Sequence, residues 1–211
     1  MNLFELVCLS ASVALLGGYY LWLAIEVRRN PQCTVIGYSA IKRRDWVRSV
    51  MTDRRDILAV QTLRNWTMAS SFLATTAILI ASGALHFLTA IPDQPQLLHQ
   101  LNFLGSVHPT LLTAKLFAIV ATLLVAFFNF AVAIRYYNHI SIEINVPQPQ
   151  SGGGDIAVVQ RMMDRGGRHY TLGMRFFYLA VPLALWLFGA MWLLLGSAVL
   201  CVALYAMDHL G

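Results

Sequence analysis

The sequence predicts an all-α polytopic membrane protein, and three observations favour this fold class. Of the 211 residues, 58% are hydrophobic and only 12% are charged, whereas about a quarter of the residues in a water-soluble domain are charged. The apolar residues form runs at least as long as the roughly 20 residues that cross a hydrocarbon core. The basic residues cluster between particular runs. Because lipid offers no partner to a free backbone amide, each run is predicted to be helical.

Four apolar runs divide the chain, and together they predict a single membrane domain over residues 1–211. The predicted cytoplasmic loops cover residues 26–65 and 135–171, and residues 92–110 form the predicted external loop. The first run is predicted to be a retained anchor, because no basic residue precedes it as one would in a signal peptide. The four predicted spans cover about residues 3–25, 66–91, 111–134 and 172–207.

Short cytoplasmic helices are predicted in both basic loops. Residues 40–51 have the pattern of an amphipathic helix, which either lies along an anionic inner leaflet with Trp46 at headgroup level or packs on its neighbours. In the second loop, Asp155 is predicted to cap a helix that runs to about Arg165. Gly166 and Gly167 are predicted to interrupt that helix before the last span.

The last apolar run is too long for one plain crossing. Residues 172–207 would extend over about 54 Å as a helix, whereas the hydrocarbon core is about 30 Å thick. Pro182, Gly189 and Gly196 are the residues that can bend or break it. We expect one kinked crossing followed by an interfacial helix, with a broken or re-entrant helix as the alternative.

The charge distribution predicts the orientation. Nine of the fifteen Lys and Arg residues lie between the first and second runs, five flank the connection of the third and fourth, and residues 92–110 contain none. The positive-inside rule therefore places both basic loops in the cytoplasm and both termini outside, in a membrane that is predicted to be the bacterial inner membrane. Because this distribution explains the net charge of +5, nucleic acid is not a predicted partner.

Polar side chains form one stripe on each of the two middle spans. Heptad spacing places four polar residues of the third span on one line. Such a stripe is either a packing seam between helices or the lining of a pathway for a hydrated solute. The candidate pathway residues are Gln61, Arg64, Ser71, Thr75, Ser82, Lys115, Thr122, Asn129 and Arg135.

The leading functional hypothesis is an oligomeric channel or facilitator for an ion or small polar solute. Four spans make a thin bundle, so a pathway would lie between or around the subunits of a homo-oligomer in the lipid bilayer. One alternative is a non-transporting assembly or regulatory subunit of a membrane complex. No Walker, GxSxG or HExxH pattern is present, so nothing in the sequence favours an enzyme.

A third alternative is an external site for a divalent metal or redox centre. Histidine and aspartate are ligands that Zn²⁺ and Cu²⁺ accept, although none of the external candidates has the helical spacing of a known motif. No cofactor is otherwise predicted. The candidate ligands are His86, His99, His108, His209 and Asp208.

Several stretches identify a family resemblance. The chain resembles the uncharacterised four-helix membrane proteins of bacteria and plants grouped as the domain-of-unknown-function 599 family. That resemblance implies an integral membrane protein with this number of spans and implies no activity, ligand or catalytic residue. The matching stretches are RRDWVRSVM (43–51), ILAVQTLRNWTMASSFLATTAI (57–78), AIRYYNHISIEIN (133–145), RGGRHYTLGMRFFYLAVPLALWLFGA (165–190) and LYAMD (204–208).

Overall fold

A computed structural model describes residues 3–53, 56–90, 109–145 and 154–209, and every named element in these ranges is helical. Within these ranges, six α-helices and one short 3₁₀ helix follow one another. They are α1 (Leu3–Arg29), α2 (Val35–Asp53), α3 (Asp56–Ala90), α4 (Pro109–Glu143), α5 (Gly154–Leu185), the 3₁₀ helix (Trp186–Phe188) and α6 (Ala190–Asp208).

Five helices of the described chain are long and apolar enough to cross a membrane, not four. These segments are Leu3–Arg29, Ile57–Phe87, Thr110–Glu143, Ile156–Phe188 and Ala190–Asp208. The all-helical, membrane-type architecture is therefore confirmed. The predicted number of four spans is replaced by five candidates, because the last apolar run forms two helices.

The last run is a helical hairpin, so the predicted single kinked crossing with an interfacial tail is wrong. A Cβ placed on Gly196 would lie 3.2 Å from Cα of Pro182, although 14 residues of straight helix would span about 21 Å. The chain reverses at Gly189, whose φ of 142° lies in a region that side chains disfavour. Gly189 is visible in the sequence as a possible break, but the residues around it are uniformly apolar. The sequence therefore does not predict that the chain reverses there.

The hairpin also corrects the predicted position of the C-terminal end relative to the basic loops. His209 forms an isolated antiparallel bridge with Thr34, in the connection between α1 and α2. The end of α6 and the first basic segment therefore lie at one end of the bundle, which we call the α2 end. The expectation that they lie on opposite faces is wrong, while the compartment that each end faces stays a prediction.

Two hydrophobic clusters hold the helices together. At the α2 end, Val47 and Val50 of α2 pack with residues of α3, α4 and α5. Further along, small residues of α3 pack against α4. Trp46 lies beside Trp66, with ring centroids 6.0 Å apart. The predicted amphipathic helix thus forms and is longer than expected, and its apolar face packs on its neighbours.

Helix α5 runs without interruption through Gly166 and Gly167, so the predicted break at these residues is wrong. Both glycines instead permit close packing. A Cβ on Gly166 would lie 3.0 Å from the ring of Tyr137, and one on Gly167 would lie 2.7 Å from the guanidinium of Arg43. Two glycines in a helix weaken it intrinsically, and here that cost is offset by contacts with α4 and α2.

Candidate functional site

A cleft of about 540 Å³ lies between α1, α2 and α5 at the α2 end of the bundle. Helix α1 packs mainly on α6, and the cleft lies where α1 and α5 face each other across α2. Each of the three helices contributes five lining residues: Tyr20, Leu23, Ala24, Val27 and Arg28; Ile36, Gly37, Ala40, Arg43 and Arg44; Asp164, Arg168, Thr171, Leu172 and Arg175.

The lining of this cleft combines apolar walls with an excess of positive charge. Leucine, isoleucine, valine and alanine side chains form the apolar part. Among the lining residues that the structure describes, Asp164 is the one acid beside five arginines. Three of those arginines, Arg28, Arg44 and Arg168, are exposed, while Arg43 and Arg175 are half-buried.

Arg175 is held in place by the end of α6. Its Nη2 lies 2.8 Å from Oδ1 and 2.7 Å from Oδ2 of Asp208, and Tyr19 donates a hydrogen bond to the same carboxylate over 2.6 Å. The guanidinium carbon also lies 5.4 Å from the ring centroid of Tyr20. These contacts leave Nη1 buried with no hydrogen-bond partner among the described residues.

Arg43 lies where α2 meets α5. Burial lowers the pKa of its guanidinium, because the charged form loses hydration. Its Nε is buried and bonds to none of the described residues. Arg43 also borders a second cavity of about 220 Å³, whose other lining residues are Trp66, Ala69, Tyr137, Gly167 and Tyr170. The side chain therefore separates the cleft from an aromatic interior.

Asp164 connects α5 to α2 from the rim of the cleft. Nε of Arg44 donates to its Oδ2 over 2.5 Å, and the aspartate side chain is 13% exposed. Its Oδ1 is buried and receives no hydrogen bond from any residue that the structure describes. Gln160 adds a second link, since its Nε2 donates to the backbone oxygen of Arg44 over 2.9 Å.

The predicted pathway residues of α3 lie away from α4 in the single chain. Gln61, Arg64, Thr75 and Ser82 are exposed, and Ser71 is half-buried with its hydroxyl donating to the backbone oxygen of Thr67. The buried face of α3 is formed instead by Ala59, Leu63, Ser70, Ala74, Ala77 and Ala81. The structure therefore does not bring the two predicted stripes face to face within one chain.

Two of the four predicted residues of α4, Lys115 and Asn129, contact the hairpin. Lys115 is buried, and its ammonium lies 5.4 Å from the ring centroid of Trp186. Oδ1 of Asn129 lies 3.0 Å from Nδ1 of His169. The Thr122 hydroxyl donates to the oxygen of the preceding turn, and Arg135 is exposed. The contacts of Lys115 and Asn129 are those of a helix-packing seam, and a role of these residues in transport stays a prediction.

The candidate metal ligands are not assembled in the part of the chain that the structure describes. Asp208 is bound by Arg175, and His209 stacks on Trp22 with centroids 5.3 Å apart. His86 lies on α3 beyond the cluster that packs against α4, away from the α2 end. His99 and His108 lie outside the described residues. Within the described ranges, no three His, Cys, Asp or Glu side chains are grouped to hold a metal.

Sequence reasoning missed the cleft, because its residues come from three distant segments. Arg175 could have indicated the cleft, because it lies inside the predicted run of residues 172–207. It was instead counted among the five basic residues that flank the second basic loop. A charge within an apolar membrane run is costly and often marks function. Asp208, its partner, was named only as a metal ligand.

Five helices long and apolar enough to cross a membrane, together with a basic amphipathic helix, define a polytopic helical membrane protein. The cleft between α1, α2 and α5 combines arginine side chains with an apolar surface. The chain belongs to the family described as protein of unknown function, DUF599, whose model matches residues 7–210. No curated protein and no solved structure matches the chain.

Proposed function

We propose that this protein binds an anionic amphiphile, a phospholipid of the surrounding leaflet, in the cleft between α1, α2 and α5. The observation that carries this proposal is the composition of the cleft, with five arginines and one aspartate set against aliphatic walls. Arginine presents a planar set of donors that matches phosphate oxygens. Basic clefts between membrane helices on the cytoplasmic side are typical sites for anionic headgroups.

The apolar part of the cleft favours an amphiphile over a soluble anion. A small hydrated anion gains nothing from walls such as Leu23, Val27 and Leu172, whereas an acyl chain does. The neighbouring outer face of α1 is also apolar, with Leu21 65% exposed. A lipid could therefore place its headgroup among the arginines while its chains follow α1 into the bilayer.

The orientation that goes with this proposal places the α2 end at the cytoplasmic face. Exposed basic residues gather at that end, and the positive-inside rule puts such residues in the cytoplasm. They include Arg28, Arg29, Lys42, Arg44, Arg48, Arg161, Arg165 and Arg168. With five spans, the start of α1 is then outside and the end of α6 is inside.

Lipid binding to the purified full-length protein tests the proposal. Nanodiscs of phosphatidylcholine would be titrated with phosphatidylglycerol, and bound lipid would be counted by native mass spectrometry. The double variant Arg28→Gln/Arg168→Gln removes two exposed cleft charges, each worth about 1 kcal/mol, so we expect binding of phosphatidylglycerol to weaken about 25-fold. Arg161→Gln/Arg165→Gln is the matched control, because both residues are exposed on α5 outside the cleft. Equal losses in the two double variants would refute the proposal.

The second candidate function is the oligomeric channel or facilitator. It is favoured by the exposed polar row of α3, because Thr75 and Ser82 would face lipid unless another copy covered them. Flux of small ions and solutes into proteoliposomes tests it, with Thr75→Val/Ser82→Ala as the variant that should reduce flux. If wild-type flux equals that of empty vesicles, the channel is excluded and a non-transporting subunit becomes the better second candidate.

A further inference from the structure

Asp164 is an unexpected residue in a cleft whose other charged side chains are arginines and would attract an anion. Its carboxylate lies among five arginines and repels any anion that enters the cleft. A purely structural explanation is that it ties α5 to α2 through Arg44. That explanation uses only one of its two oxygens, since Oδ2 takes the bond from Arg44 and Oδ1 is buried without a donor among the described residues.

The α2–α5 connection does not depend on Asp164 alone. Gln160 lies one helical turn earlier on α5 and donates to the backbone oxygen of Arg44. Val159 and Met163 of α5 are fully buried in the cluster that contains Val47 and Val50 of α2. The two helices are thus held by apolar packing and a second hydrogen bond, which leaves the second carboxylate oxygen to be explained.

The polar atoms of the cleft suggest what a matching ligand looks like. Arg43 Nε and Arg175 Nη1 are donors without a partner among the described residues, and Oδ1 of Asp164 is an acceptor in the same state. The Tyr20 hydroxyl, which can donate or accept, is also buried there without a partner among those residues. Such groups are costly when buried and become favourable when a ligand pairs with them. A headgroup that satisfies all four atoms carries anionic oxygens, which accept from Arg43, Arg175 and Tyr20, together with a hydrogen-bond donor for Asp164.

We infer that the cleft selects a phospholipid whose headgroup bears a hydroxyl or ammonium donor beside its phosphate. Asp164 is the specificity-determining residue, because its free oxygen accepts the hydrogen bond of that donor while the arginines bind the phosphate. This inference rests on the proposed lipid-binding function. It goes further in naming the headgroup class and the residue that reads it.

Two lipids of equal charge test whether the headgroup donor contributes to binding. Phosphatidylglycerol and phosphatidylmethanol are both singly charged phosphodiesters, and only the first carries hydroxyl groups. Each would be titrated into phosphatidylcholine nanodiscs that contain the full-length protein, with bound lipid counted by native mass spectrometry. We expect phosphatidylglycerol to bind about fivefold more tightly, the ratio that one net hydrogen bond supports. Phosphatidylethanolamine competing against the phosphatidylcholine background reports whether an ammonium group serves as the donor.

Two variants distinguish selection from structural support. In Asp164→Asn the remaining amide oxygen accepts from Arg44 and the amide nitrogen replaces Oδ1, so no acceptor is left for the headgroup donor. Both lipids gain equally from the loss of a repulsive charge, and we expect the ratio of phosphatidylglycerol to phosphatidylmethanol affinity to fall to about one. Arg44→Gln breaks the same ion pair but retains the carboxylate. We therefore expect the binding of both lipids to weaken by the same factor, so that the ratio of their affinities is unchanged.

The outcomes separate the two proposals. If neither lipid binds, the proposed function is wrong. If both lipids bind equally to the wild-type protein, or if Asp164→Asn leaves the ratio of their affinities unchanged, the function stands and the selectivity of Asp164 is refuted.

Discussion

Arg175 and Asp208 lie 33 positions apart in the chain and form an ion pair in which one guanidinium nitrogen contacts both carboxylate oxygens, at 2.8 and 2.7 Å. Their side chains are only 12% and 10% exposed. This contact joins the middle of α5 to the end of α6, so it requires the two helices to run antiparallel. It also sets the position of Arg175 in the wall of the cleft.

Breaking this pair from one side should destabilise the hairpin. Asp208→Asn leaves a buried guanidinium without its counter-charge, which costs about 3–5 kcal/mol in comparable buried pairs. We expect a lower melting temperature in detergent, measured by the fluorescence of the tryptophans. The double variant Arg175→Met/Asp208→Leu removes both charges and should recover most of the loss. A double variant less stable than Asp208→Asn would show that the charges themselves stabilise the fold.

The bridge between Thr34 and His209 offers a direct check of the hairpin. Residues paired in this way have Cα atoms about 4.5–5.5 Å apart, which is within the range of a disulfide. We expect Thr34→Cys/His209→Cys, in a background without the native cysteines, to form an intramolecular disulfide that mass spectrometry detects. Thr34→Cys/Val199→Cys is the control, because ten residues of helix separate positions 199 and 209 by about 15 Å. Crosslinking of both pairs to the same extent would contradict the structure.

The topology predicts where a C-terminal tag is found. Since the end of α6 lies beside the α1–α2 connection, a fluorescent protein fused after residue 211 should be on the same side of the membrane as a tag inserted in the connection between α4 and α5. We expect protease added to spheroplasts, which reaches only the outer face of the inner membrane, to leave both tags intact. Digestion of the C-terminal tag alone would return the topology to four spans with the C terminus outside.

Glycine in α5 permits the contact with α4. A Cβ on Gly173 would lie 2.8 Å from the ring of Phe130, a side chain that is fully buried. Gly173→Ala should therefore lower the free energy of unfolding by about 1–3 kcal/mol, because a tightly packed ring must shift. Gly83→Ala is the matched control, since a Cβ placed on Gly83 would meet no atom of the described residues within 4 Å. It should be neutral or slightly stabilising, and thermal unfolding of the two variants compares them.

Features that depend on local pattern were predictable. The apolar runs predicted helices from residue 3, around residue 66 and around residue 111, and the structure has α1, α3 and α4 there. Gly166 and Gly167 were misread because intrinsic propensity treats glycine as a break. The contacts with Tyr137 and Arg43, which make glycine favourable here, involve residues of other helices.

The candidate site was much less predictable. The residues of the predicted stripes lie on α3 and α4, yet Thr75 is exposed while Asn129 contacts His169. Helical periodicity tells which residues share a face, but not which neighbour that face meets. The cleft needs residues from α1, α2 and α5, and no spacing in the chain relates Tyr20, Arg43 and Asp164.

The amino-acid sequence alone determined that this protein is helical and belongs in a membrane, because hydrophobic length and charge asymmetry act locally and need no partner. The tertiary structure decided that the last apolar run turns back at Gly189, and that Arg175 meets Asp208 beside an arginine-lined cleft. Those features arise from the energies of contacts between distant segments, such as a buried ion pair and close glycine packing, which exist only once the helices have been placed together.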